Sequence, residues 1–126
     1  MAGQRSVTRP KSVKIGWQLF SIEWLNDDDW YLQKHDDNWG GATIHEEGRI
    51  VIRCQDGRSE DSLRETLLHE MTHAIWSTRG LNHFPRPEDL DELEEYIITS
   101  QSGGLLLALN DNPEALAYLL ALGNGA

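Results

Sequence analysis

Residues 59–77 carry the strongest periodic pattern in the chain. Apolar side chains recur there at helical spacing, at Leu63, Leu67, Met71, Ala74 and Ile75. This spacing places them on one face of an α-helix. Ser59 precedes two acidic residues, as is typical of a helix N-terminus, and neither glycine nor proline follows before Gly80. Because Leu68 and Trp76 extend the apolar surface to other faces, we predict a central helix that the rest of the domain surrounds.

The segments before this helix have the alternation of β-strands. Residues 13–24 are rich in strand-forming side chains and predict a first strand, with a break near Phe20. Residues 39–45 and 49–54 are separated by a short polar segment that ends in Gly48, which predicts a hairpin. We therefore expect a small antiparallel sheet. The polar and basic residues 1–12 are expected to form a mobile arm.

Two further helices are predicted after the central one. The second has acidic residues in its first turn, near residue 88, and continues to residue 109 through Gly103 and Gly104. Asn112 is positioned to cap a third helix, which has Pro113 at its start and runs to residue 122. The chain, residues 1–126, is thus expected to be one α+β domain. A small antiparallel sheet would pack beside the central helix, and two helices would follow at the C-terminal end.

Composition and charge restrict the classes of partner. The chain has 126 residues, of which 39% are hydrophobic and 25% charged, and its formal net charge is −10. This acidity argues against non-specific binding to DNA, RNA or an anionic membrane. No apolar run approaches the length of a membrane span, and residues 1–10 lack the apolar stretch of a secretory signal, so we expect a cytoplasmic location. Cys54 is the single cysteine, which excludes an intramolecular disulfide and a cysteine-based metal site.

The central helix contains the sequence His69-Glu70-Met71-Thr72-His73. Two histidines four residues apart lie one turn apart on the same face, so both imidazoles can reach one metal ion. Nitrogen ligands of this kind suit Zn²⁺. Glu70 projects beside the metal position, where it could accept a proton from a water that the metal activates. The motif therefore predicts a zinc site with His69 and His73 as ligands and Glu70 as catalytic base.

Catalytic zinc sites usually have a third protein ligand. The spacing of metzincins would place a histidine at position 79, where this chain has Arg79. On the second helix, Glu94 shares a face with apolar residues such as Ile97, and a charge on an apolar face needs a partner such as a metal. Glu94 is therefore the preferred third ligand, with Glu95 as the alternate. His83, in the loop between the two helices, is a further alternative.

The motif and its surroundings resemble those of small bacterial and bacteriophage metallopeptidases often labelled SprT-like, and more broadly the gluzincin plan of HExxH followed by a glutamate. The similar stretches are residues 62–76, 94–98 and 111–119, together with the strand at residues 49–53. The resemblance implies a zincin-like α+β fold, with His69 and His73 as zinc ligands and Glu70 as base. It leaves both Glu94 and Glu95 open as the third ligand. A phage-encoded protein of this kind would act in the cytoplasm of its bacterial host.

We therefore expect a single-domain zinc metallopeptidase that hydrolyses peptide bonds. Its peptide or protein substrate would add as an extended strand to the sheet edge formed by residues 39–45. Two alternatives belong to other classes: a non-catalytic zinc-binding regulatory or interaction protein, and a DNA-associated protease of the SprT type. An intact Glu70 argues against the first, because holding a metal does not require that carboxylate. The net charge of −10 argues against the second.

Overall fold

The computed structural model describes residues 8–26, 40–55, 57–80 and 89–123. The predicted loop that carries His83, and Trp39 at the start of the predicted edge strand, lie outside the described residues. Within the described ranges the chain forms four strands and three α-helices, a small α+β architecture. No helix in these ranges is long and apolar enough to cross a membrane.

The strands β1 (Ser12–Ile15), β2 (Gln18–Leu25), β3 (Gly41–Ile44) and β4 (Arg49–Arg53) form one sheet in the order β1-β2-β4-β3. The β3–β4 pair is antiparallel, as the predicted hairpin requires, but β2 and β4 are parallel. The sheet is therefore mixed, and the prediction of an antiparallel sheet is wrong in this respect. Alternation along a strand indicates which face is buried, but it does not indicate which strands become neighbours.

A two-residue turn at Gly16 and Trp17 separates β1 from β2, whereas the sequence pattern suggested a break near Phe20. Gly16 has a φ of 62°, a left-handed conformation that glycine adopts without strain. Phe20 lies within β2 and is fully buried. The predicted single strand is thus an antiparallel hairpin. The turn falls at Gly16 because the turn needs a left-handed residue, which glycine supplies without strain.

Three helices complete the fold: α1 (Glu60–Thr78), α2 (Leu90–Asp111) and α3 (Pro113–Leu120). Ser59 caps α1 as predicted, since its hydroxyl accepts a hydrogen bond from the backbone N–H of Ser62. α1 contacts β1, β3, β4, α2 and α3, which confirms its predicted central position. Its apolar stripe packs on the sheet within one buried cluster, which includes Phe20, Ile22, Ile50, Ile52, Leu63, Leu67, Met71 and Ile75.

Asn112 precedes α3 as predicted, but its side chain does not cap that helix. Its amide instead accepts a hydrogen bond from the backbone N–H of Lys14 and donates one to the Lys14 carbonyl, each at 2.7 Å. Because β1 is an edge strand of the sheet, no other strand in the described part of the chain pairs with these backbone groups. Asn112 therefore connects the helices to the edge of the sheet.

Residues 8–12 do not form a mobile arm, so that prediction is wrong for this part of the segment. Pro10 is fully buried, and Arg9 donates two hydrogen bonds of 2.9 Å to the carboxylate of Glu60. The hydroxyl of Tyr118 donates a third, of 2.6 Å. The hydrogen bonds from Arg9 and then Tyr118 lower the pKa of Glu60 to about 2. Residues 1–7 of the predicted arm lie outside the described residues.

Candidate metal centre

The two histidines of the motif lie side by side on an exposed face of α1. His69 Nε2 and His73 Nε2 are 3.2 Å apart, and the rings are inclined by 74°. Two nitrogens bound to one tetrahedral zinc ion, at about 2.0–2.1 Å each, lie roughly 3.3–3.4 Å from one another. The observed separation therefore fits joint coordination of one ion. It equally fits a hydrogen bond between the rings, with one nitrogen donating and the other accepting.

Glu70, between these histidines in sequence, turns away from solvent towards the sheet. It is only 5% exposed, and its Oε1 accepts a hydrogen bond of 2.9 Å from the hydroxyl of Thr43 in β3. The same hydroxyl lies 3.0 Å from the backbone oxygen of Glu70. Because a hydroxyl has a single proton, the two oxygens share it, and both contacts hold the glutamate against β3. The other carboxylate oxygen of Glu70 takes no part in the bond with Thr43.

β3 approaches α1 closely because residue 41 is a glycine. A Cβ atom on Gly41 would lie 2.8 Å from Cγ2 of Thr66 and 3.3 Å from Cγ of Glu70. It would also lie 3.0 Å from the backbone oxygen of Val51 in β4. Side chains larger than hydrogen are therefore excluded at this position, which brings the backbone of the edge strand beside the candidate base.

Arg58 fixes the start of β3 relative to α1. Its guanidinium donates to the carbonyl oxygens of Gly40 and Arg53, at 3.0 and 2.8 Å, and to the carbonyl of Ser62 at 3.1 Å. It also donates to the hydroxyls of Ser62 and Thr66. These bonds join the strand, the end of β4 and the first turns of α1. Sequence reasoning gave Arg58 no role, because its bond to Gly40 spans 18 residues and no local pattern indicates that contact.

A cavity of about 730 Å³ opens above the histidine pair. Its lining combines residues 41–43 of β3, the histidines, Glu70, Trp76 and neighbouring residues of α1, and Gln101 of α2. A smaller cavity of about 390 Å³ continues along α1 towards Ser62, and both cavities share Gly41, His69 and Glu70. The two together form a cleft that follows the edge of the sheet on both sides of His69.

The predicted third ligand is not brought to the histidines. Glu94 and Glu95 both lie exposed near the start of α2. Among the residues that the structure describes, no group of three or more histidine, cysteine, aspartate or glutamate side chains is arranged to hold a metal ion. Coordination by Glu94 or Glu95 therefore stays a prediction. The remaining alternative, His83, lies outside the described ranges.

Gln101 is the residue of α2 that does line the cavity, and sequence reasoning assigned it no chemical role. It follows Glu94 by seven residues, or about two helical turns, so the two lie on nearly the same face of α2. Helical spacing could therefore indicate the face but not the turn that reaches the histidines. That turn depends on where α2 crosses α1.

Comparisons of the chain with protein-family models, with curated proteins and with solved structures give no match.

Proposed function

We propose that the protein is a zinc-dependent metallopeptidase with a zincin-like arrangement of sheet edge and helix. The observation that carries the proposal is the pair of imidazole nitrogens 3.2 Å apart, next to a carboxylate that Thr43 holds in place. His69 and His73 would hold the ion, and Glu94 is the predicted further ligand. A bound Zn²⁺ supplies Lewis acidity, which polarises the scissile carbonyl and makes water more acidic.

Glu70 would act as the general base. Its carboxylate accepts a proton from the attacking water and then passes that proton to the leaving amine. Thr43 restricts the carboxylate by bonding one oxygen, so that the other remains available to the cleft. Burial of Glu70 limits the number of water molecules around its carboxylate. Fewer of them must then rearrange before proton transfer, which makes the base more effective.

The substrate class follows from the edge strand. Among the described strands, β3 is the outermost one beside α1, and its residues 41–43 line the cavity. An extended peptide can pair with the free side of such a strand through main-chain hydrogen bonds. Pairing of this kind would hold a peptide along the cleft, with its backbone above the histidines.

A non-catalytic zinc-binding protein is the main alternative, and the bond between Thr43 and Glu70 favours the peptidase. A zinc site that serves only structure or regulation needs neither a buried carboxylate beside its histidines nor a hydroxyl to orient it. The DNA-associated alternative has less support, because the net charge is −10 and phosphate binding requires clustered positive charge.

Metal analysis followed by digestion of a peptide library tests the proposal. We expect about one zinc per chain in the wild type and little in His73→Ala. The wild type should cleave library peptides and Glu70→Gln should not, although the variant keeps its zinc. Glu46→Gln is the control, because Glu46 is an exposed glutamate in the turn between β3 and β4.

The possible results separate the classes. Equal zinc content in the wild type and His73→Ala would refute the metal site. A zinc-loaded wild type that cleaves nothing, or cleavage that persists in Glu70→Gln, would refute the peptidase mechanism.

A further inference from the structure

Gln101, on α2, has a buried side-chain oxygen. Among the described residues, no group donates a hydrogen bond to its Oε1, although the residue lines the cavity of the histidine pair. A buried acceptor without a donor destabilises the folded protein, so such groups are usually satisfied by protein, water or ligand. Gln101 lies on the packed face of α2, where the neighbouring turns place Gly104 and Ala108 in buried positions.

The position of Gln101 relative to β3 follows from the geometry of α1. Thr66 and Glu70 of α1 lie against β3, whereas Ile75 lies against Gly104 of α2. At about 100° per residue, these two contact faces of α1 are roughly 180° apart, and the histidines lie between them. The cavity therefore has β3 along one side of the histidine pair and Gln101 on the other.

We propose that the Gln101 amide turns towards this cavity and that its Oε1 then accepts a hydrogen bond from a main-chain N–H of a bound peptide. The inference rests on the proposed peptidase function and adds a second binding contact to it. A peptide paired with β3 uses the backbone groups on one of its sides, and the groups on its other side have no partner in the sheet. An acceptor on the wall opposite β3 satisfies one of these N–H groups. The ligand class is thus an extended peptide backbone, recognised without regard to its side chains.

The variant Gln101→Met tests this role because methionine has a similar length and is unbranched, but it has no carbonyl oxygen. Removal of an unsatisfied buried acceptor should leave the stability of the free protein unchanged or higher. Peptide binding should weaken in the same variant. A residue that served only packing would not give these opposite effects.

Two probes separate peptide contacts from metal contacts. Acetohydroxamic acid has a zinc-chelating group and no peptide, whereas trialanine hydroxamate has the same chelating group on a short peptide. Titration calorimetry would measure both with the zinc-loaded wild type, Gln101→Met and Gln18→Met. Gln18 is the control, since among the described residues its buried Oε1 likewise has no donor, but the residue lies in β2 and does not line the cavity. Its Nε2 donates to the backbone oxygen of His45, so Gln18→Met also loses one hydrogen bond away from the cavity.

For Gln101→Met we expect trialanine hydroxamate to bind about tenfold more weakly, as loss of one hydrogen bond predicts. The affinity for acetohydroxamic acid and the zinc content should match those of the wild type. Gln18→Met should change the affinity for neither hydroxamate. Equal trialanine hydroxamate affinity in the wild type and Gln101→Met would overturn the inference. Loss of zinc in Gln101→Met would also overturn it, by making Gln101 a metal ligand. A wild type that binds neither zinc nor a hydroxamate would overturn the proposed function itself, and this inference with it.

Discussion

Two adjacent glycines in α2 should respond in opposite ways to the same substitution. Replacing glycine by alanine within a helix stabilises it by roughly 1 kcal/mol where the new methyl group has space. Gly103 is exposed, and among the described residues its Cβ would meet only Nη2 of Arg79, at 3.6 Å. Gly104 is buried, and its Cβ would lie 2.4 Å from Cγ2 of Ile75 and 2.9 Å from Cδ of Arg79. Only the first substitution can gain the helical advantage without displacing a neighbour.

The magnitude follows from the size of the overlap at Gly104. Carbon atoms in contact lie about 3.5–4.0 Å apart, so Ile75 or the helix must move by about 1 Å or more. Arg79 is flexible and can adjust, but the β-branched Ile75 is restricted within its own helix. Overpacking of this kind costs roughly 1–3 kcal/mol, which the helical gain offsets in part. We expect Gly104→Ala to lower the free energy of unfolding by up to about 2 kcal/mol and Gly103→Ala to raise it by up to about 1 kcal/mol.

Urea unfolding monitored by circular dichroism measures both variants against the wild type. The difference between them is the decisive quantity, because the change in helix propensity is the same at both positions and cancels. We expect Gly104→Ala to be less stable than Gly103→Ala by about 1–3 kcal/mol, which is the overpacking cost alone. Equal stability of the two variants would refute the close packing of α2 on α1 at Gly104. It would also remove the basis for the position assigned to Gln101.

Three further predictions concern the ion pair of α1, the candidate base and the third ligand. Because Arg9 holds the pKa of Glu60 at about 2, below its ordinary value of 4.5, the pair stabilises the fold above pH 4.5 and the benefit is lost as the pH falls towards 2. Since the Arg9 side chain is 39% exposed, we expect solvent to reduce this contribution to about 1–2 kcal/mol. Somewhat more than half of it is lost by pH 3, so the loss of stability between pH 5.5 and pH 3, measured by urea unfolding, should be smaller in Glu60→Gln than in the wild type by roughly 0.5–1 kcal/mol. Thr43→Val should lower kcat for a library-selected peptide about tenfold, with KM and zinc content unchanged, and Thr43→Ser should restore kcat. An unchanged kcat in Thr43→Val would exclude a role for Thr43 in orienting Glu70. Competition with a chromogenic chelator should show a severe loss of zinc affinity in Glu94→Gln and little change in Glu95→Gln. The reverse result would mean that the predicted helical phase of α2 is wrong by one residue.

Local patterns predicted α1 and the closeness of its two histidines because the relevant signals lie within a few residues of one another. The cap at Ser59 and the four-residue spacing of His69 and His73 are both properties of a single helix. The hairpin at Gly48 was predictable for the same reason, since a left-handed glycine lies between two strand-forming segments.

Contacts between distant segments were not predictable in this way. The parallel pairing of β2 with β4 and the bond from Thr43 to Glu70 depend on strand order and register. Likewise, the helical face shared by Glu94 and Gln101 could be derived from spacing, but the packing of Gly104 on Ile75 selects the turn that lies beside the histidines. Single-sequence patterns contain no information on that crossing point.

The first turn of α1 anchors both ends of the described chain. Glu60 binds Arg9, and the carboxylate of Asp61 accepts a hydrogen bond from the backbone N–H of Gly123. Residues 9 and 123 are therefore close in space, while His73 lies about 20 Å further along the helix at 1.5 Å per residue. This closeness makes the domain suitable for circular permutation. A short flexible linker could join the two ends. New termini could open at Gly16 and Trp17, in the exposed turn between β1 and β2. This position interrupts no strand or helix that lines the cleft.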